Sequence, residues 1–298
     1  MRLFPAVLIL CIQIASPIRA DELTRKMTAR VSEEAEAFRR IAVQVLGTEK
    51  LHQAAIKPPG RFHPRVGNGA PPPAQWKQRD VVSEYGFASF GGDSGAIHEL
   101  RQVISVDGHK VAESRKAQES LAKAITANDD VRKKEAMKEL EKFGLTGAVT
   151  DFGQLLLLFG RREIERYEFS FKSATMIGYD RALVFTYKQL DGPEGITLIE
   201  GNKGDRTQKL KLAGEIRVRA ADFLPLQITM SARQGDGPDA LREEAAVTYA
   251  MSPFGALLPV STEHRELRGG KAVAENQFAY TDFHKFGASS DIKFEVAK

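Results

Sequence analysis

The chain has 298 residues, 42% of them apolar, with 43 basic residues against 39 acidic ones and a single cysteine, Cys11. Opposite charges are interleaved throughout, and no basic run carries aromatics at base-stacking spacing, which disfavours a nucleic-acid partner. With one cysteine there is no disulfide framework, so a chain of this length must be held by its core.

Met1 and Arg2 are followed by an apolar run from Leu3 to Ile14, then by small and helix-breaking residues ending at Ala20, before Asp21 and Glu22. This is the layout of a secretory signal peptide covering 1–20, and the run is too short for a stable membrane anchor. The expected location is therefore extracytoplasmic, periplasmic or secreted. Cys11 lies inside the signal and is preceded by Leu8-Ile9-Leu10, without the small residue that lipidation needs. Loss of Arg2 and Arg19 lowers the formal net charge from +4 to +2, and no second stretch reaches membrane-spanning length.

Residues 21–56 read as an N-terminal helix, with Met27, Val31, Phe38, Ile41, Ala42 and Val45 at three- and four-residue steps over 23–56. Lys57-Pro58-Pro59-Gly60 and Pro71-Pro72-Pro73 mark 57–76 as an irregular tether. A curved-sheet domain is expected over 77–298. It opens with a hairpin over 79–90 and 96–107, joined by Gly91-Gly92-Asp93-Ser94-Gly95 and ended by Asp107-Gly108.

A helical insertion over 112–160 interrupts the sheet pattern. Two charged surface helices occupy 112–142, with Asn128-Asp129-Asp130 stopping the first and capping the second. A third is expected from an Asp151 cap and a Gln154 capping box to Gly160, enclosing Phe152 and the run Leu155, Leu156, Leu157, Leu158 and Phe159. A helix apolar on every side requires burial all round or an apolar ligand beside it.

From Arg161 onward the period becomes two. Tyr167, Phe169 and Phe171 alternate with polar residues, as do Leu183, Phe185 and Tyr187, then Ile216 and Val218, then Leu224 to Met230, and further runs near Val247, Leu258 and Ile292. The joints are too short for crossover helices, so neighbouring strands pair antiparallel. The fold class is α+β: a strongly curved antiparallel sheet of about ten or eleven strands, an unclosed β-barrel with helices across its concave face.

Two stretches resemble the extracytoplasmic lipoprotein-carrier and lipoprotein-sorting superfamily. The run Gly214 to Leu226, ending Asp222-Phe223-Leu224-Pro225-Leu226, is similar to that family's strand–turn–strand. Tyr280-Thr281-Asp282-Phe283 through Phe286 to Phe294 is similar to its final hairpin. The resemblance implies a half-barrel that holds a lipid, a lipidated protein or another hydrophobic ligand without catalysing a reaction. The chain differs in its length and in its insertion between strands, and no functional residue of that family matches a position here.

Chemistry-bearing motifs are sparse. None of the six histidines stands at metal-binding spacing, so neither a metal nor a cofactor is assigned. There is no Gly-x-Ser-x-Gly elbow, and the glycine loop at 91–95 lacks the lysine and helix of a phosphate loop. His264 shares the register of Leu258 and Val260 and reads as a hydrogen-bonded core histidine. The candidate ligand-binding residues are Tyr167, Phe169, Phe171, Leu183, Phe185 and Tyr187, with Leu155, Leu157, Leu158 and Phe159 on a movable cover. Apolar walls under a displaceable lid suit acyl-chain binding. A filled sheet face under helices 23–46 and 112–142 is the competing interpretation. An envelope-protein interaction or sensor module and an exported hydrolase are the functional alternatives, and the oligomeric state is left unassigned.

Overall fold

The structure, a computed structural model, describes residues 17–57, 75–91, 96–145, 151–190, 211–235, 237 and 240–286. Helix α1 (Pro17–Ala42) leads into strand β1 (Val45–Lys57). Strands β2 (Gln75–Ser89), β3 (Ile97–Val106) and β4 (His109–Lys110) follow, then helices α2 (Ser114–Thr126) and α3 (Asp130–Met137). The remaining strands are β5 (Tyr167–Ile177), β6 (Asp180–Gln189), β7 (Leu212–Arg219), β8 (Pro225–Gln234), β9 (Leu241–Met251), β10 (Leu257–Arg268) and β11 (Lys271–Lys285). All eleven form one open antiparallel sheet in the order β4-β3-β2-β1-β11-β10-β9-β8-β7-β6-β5. This is the expected curved α+β architecture. The first and last described strands, β1 and β11, pair within the sheet, and β4 and β5 are its edges.

The N-terminal helix is shorter than the expected 23–56: it ends at Ala42, and Val45 to Lys57 is a strand. The reason lies in the inward positions of β1. Glu49, Leu51, Gln53 and Ala55 are buried, so two of the four are polar and the hydrophobic alternation disappears. Gly47 sits at the register shift against β11, where a Cβ would meet the Phe283 ring at 2.8 Å and the Thr281 carbonyl oxygen at 2.9 Å.

Met27, Val31, Ala35 and Phe38 of α1 bury into the main core, which also holds Tyr85 and Phe87 of β2, Ile228 of β8 and Val247 of β9. The rings of Phe38 and Phe87 meet edge to face at 5.2 Å. The charged helices take the other side of the sheet. Leu121, Ala124 and Ile125 of α2 form a separate cluster with Leu46, Ala88, Phe90 and Leu100, whose positions alternate with the inward-facing ones. Of the two helical segments expected over the aromatic face, α1 alone lies there. Asp129 caps α3, accepting from the N–H groups of Val131 and Arg132. Past α3 the chain reaches the concave side, because Leu140 and Leu145 already belong to the main core.

The expected third helix is not an α-helix. Leu155–Phe159 is a short 3-10 turn, Gln154 makes no side-chain cap, and Gly160 has φ −59°. Asp151 binds the sheet instead of a helix terminus, as described below. Of the expected tether 57–76, Lys57 ends β1 and Gln75 and Trp76 open β2, while 58–74, most of the glycine loop, the joints at 191–195 and 201–204, and the final run around Ile292 lie outside the described residues, and so do residues 1–16 of the expected signal.

A candidate ligand trough and its cover

The aromatic stripe comes from the pairing of β5 with β6, where Phe169 faces Tyr187 and Phe171 faces Phe185 in register. Tyr167, Leu183, Phe185 and Tyr187 are buried, while Phe169 and Phe171 are half-buried near the sheet edge. Phe159 lies on this stripe, with its ring 5.2 Å from Tyr167, 5.7 Å from Phe169 and 5.0 Å from Tyr187. All ten candidate residues therefore gather in one apolar body. The run 155–159 is not uniformly enclosed: Leu155, Leu156 and Phe159 are buried, whereas Leu157 and Leu158 are half-buried. A groove of about 430 Å³ separates Ala20, Asp21, Thr24, Arg25 and Thr28 of α1 from Phe169, Ser170 and Phe171 of β5, and it opens on the half-buried end of the stripe.

The segment 151–156 crosses a second, polar region of the concave face that sequence reasoning did not find. Arg101, Glu49 and Glu99 are each no more than 1% exposed. Arg101 donates to Glu49 through Nε (2.8 Å to Oε1) and Nη2 (2.7 Å to Oε2), and Nη2 also reaches Glu99 Oε2 at 2.7 Å. Tyr85 donates its hydroxyl to Glu99 Oε1 at 2.7 Å, and the Gly153 N–H donates to the same oxygen at 2.6 Å. Burial pushes the Glu99 carboxyl up to about 7, against the pull of Arg101 and with the repulsion of Asp151 and Glu49. The sequence carried no local signal for this cluster, because its members come from three strands and a distant turn.

Further hydrogen bonds seat the segment. Asp151 accepts from the Glu99 N–H at 2.9 Å and meets His98 Nδ1 at 3.0 Å. Tyr249 donates its hydroxyl to the Gly153 carbonyl at 3.0 Å and accepts from the Leu156 N–H at 3.1 Å. At its far end, the Arg161 N–H reaches Glu36 of α1 at 3.2 Å. A Cβ on Gly153 would stand 2.5 Å from Glu99 Oε1 and 2.6 Å from the Tyr85 hydroxyl, so only glycine fits this approach unchanged.

Beside this cluster, a polar row crosses four strands. His264 Nε2 meets Glu243 at 2.5 Å, its Nδ1 meets Asn276 at 2.9 Å, and Gln53 donates to Asn276 Oδ1 at 2.7 Å. The Phe152 ring covers His264 at 4.6 Å. His264 thus has both nitrogens engaged and is 1% exposed. Among the described residues no three His, Cys, Asp or Glu side chains converge to hold a metal ion, and no helix is long and apolar enough to cross a membrane.

No family model matches the sequence, and no curated protein matches it. Two solved structures are similar in fold at low superposition scores. One is a LolA superfamily protein from Nitrosomonas europaea: 11% identity, covering 87% of this chain and 94% of that one, with a TM-score of 0.32. The other is a DUF1329 family protein from Desulfovibrio piger: 8% identity, 90% and 97% coverage, and a TM-score of 0.34.

Proposed function

We propose that this chain is an exported, non-enzymatic binding protein that holds a lipid, the acyl part of a lipidated protein or another hydrophobic ligand on the concave face of its half-barrel. Segment 151–159 is the displaceable cover. The observation that carries this reading is the cover's construction. It is a turn too short to be stable alone, its Phe159 ring lies on an aromatic stripe, and hydrogen bonds that Gly153 and Leu156 donate to Glu99 and Tyr249, with one that Asp151 accepts from the Glu99 N–H, tie it down near one end. Leu157 and Leu158 are already half-exposed, so lifting the turn uncovers less new apolar area than removing a core helix would. An acyl chain lying on Tyr167, Phe169, Phe185 and Tyr187 would replace the contacts the cover gives up.

Uptake of the neutral fluorophore N-phenyl-1-naphthylamine, with displacement by a long-chain fatty acid, tests the reading. Saturable uptake that the fatty acid reverses supports it. Absence of uptake by the folded protein would leave 151–159 as a structural turn.

A further inference from the structure

We propose that Glu99 is a proton-linked latch for the 151–159 cover, which stays seated while Glu99 carries a proton and loosens when the carboxylate ionises. This rests on the reading of 151–159 as a displaceable cover and adds how its release is governed.

The geometry isolates Glu99 as the responsive group. Its surroundings are Arg101 on its own strand, Glu49 on β1, Tyr85 on β2, Tyr280 on β11 and Tyr249 on β9, with Asp151 on the cover itself. His98 meets the second oxygen of Asp151, and His264, paired with Glu243, lies beneath Phe152. One guanidinium therefore serves two fully buried carboxylates. Arg101 engages Glu49 through two nitrogens and Glu99 through one. When Glu99 is ionised the cluster holds an uncompensated negative charge, and Asp151 brings another carboxylate close by.

A neutral Glu99 removes that excess and keeps Oε1 as an acceptor for the Gly153 N–H and the Tyr85 hydroxyl, so the tie to the cover survives protonation. Lifting the cover admits water to the carboxylate and relieves its desolvation. The seated state thus binds a proton that the open state releases. With the carboxyl held near 7 by burial when seated, seating is fully favoured below the ordinary carboxylate range and weakens as pH rises toward 7.

The test is hydrogen exchange at the Gly153 and Leu156 amides of the full-length protein between pH 5.5 and 8.5, corrected for the intrinsic pH dependence of exchange. The opening equilibrium is expected to rise roughly tenfold or more across this range. Glu99→Gln should abolish the rise, and His98→Gln should keep it. If Glu99→Gln does not fold, Glu49→Gln decides: with one carboxylate removed, Arg101 neutralises Glu99 and the rise shifts to lower pH. PH-independent protection in the parent protein, an unshifted rise in either glutamate variant, or loss of the rise in His98→Gln overturns the latch. The two readings fail separately. Flat protection with intact naphthylamine uptake removes the latch and keeps the binding function. A pH-dependent opening without uptake keeps the latch and removes the binding function.

Discussion

The backbone N–H of Gly153 donates to Glu99 Oε1 at 2.6 Å, joining a turn of the insertion to a buried carboxylate 54 positions earlier in the chain. The contact needs a residue without a side chain, since a Cβ at 153 would overlap both Glu99 and Tyr85. Gly153→Ala should therefore unseat the cover at a cost of about 1–3 kcal/mol. We expect a melting temperature a few degrees lower together with increased naphthylamine uptake. A variant that melts and binds like the parent would show that this contact does not hold the cover.

Leu156 and Leu157 separate a buried position from a half-exposed one within the same turn. An aspartate at 157 can reach solvent, so Leu157→Asp should melt close to the parent. Leu156→Asp would place an unpaired charge in the core at a cost of several kcal/mol, unless the turn swings out to hydrate it. A displaceable cover predicts a folded Leu156→Asp with its probe site permanently open. Global unfolding of that variant, seen by circular dichroism, would mark the turn as structural.

Among the described residues, Arg101 is the cation that pairs with the buried Glu49 and Glu99. Its replacement by methionine leaves two buried carboxylates unpaired and should cost about 3–5 kcal/mol in urea unfolding. Adding Glu49→Gln to Arg101→Met should recover part of that loss by removing one of the stranded charges. An additive double variant would mean that the two residues do not interact energetically.

Global stability should rise on acidification from pH 8 towards pH 5. Glu99 and Glu243 are both raised, each chiefly by burial, with Arg101 pulling the first down and His264 the second. The folded state thus binds protons that the unfolded chain releases. Stability from this source is complete below the ordinary carboxylate range and is lost as pH climbs, towards about 7 for Glu99. Glu215 and Asp222 are lowered by hydrogen bonds from Lys172 and from Arg219 and act in the opposite direction at acid pH, but they are solvent-screened pairs of small effect. Urea midpoints measured from pH 5 to 8 should fall with pH, and the fall should flatten in Glu99→Gln combined with Glu243→Gln.

Much of the sheet was legible in the sequence, because β5 to β8 place apolar residues inward at alternate positions and β2, β3, β9 and β10 do so in part, with Glu99, Arg101, Glu243 and His264 interrupting their inward rows. The cap at Asp129 was legible for the same local reason: its partners are two and three residues away. β1 was not, since Glu49 and Gln53 occupy inward positions and each is explained by a partner far along the chain, Arg101 and Asn276. The apolar run at 155–159 correctly marked a segment of the concave core. Its form was missed, because Asp151 and Gln154 mimic a capping box while Asp151 binds the β3 backbone. The aromatic stripe was read directly from period-two runs, whereas the charged cluster beneath the cover is assembled by tertiary pairing alone.

A hydrophobic ligand that occupies the trough when the cover lifts would add its mass to the intact protein. Native mass spectrometry of the protein purified from its own cells, and again after incubation with phospholipid vesicles, tests for such an occupant. A fraction of molecules should carry an adduct of acyl-lipid mass, released on mild activation and enriched in Gly153→Ala. A clean ligand-free mass under both conditions, for the parent and for Gly153→Ala alike, would contradict it.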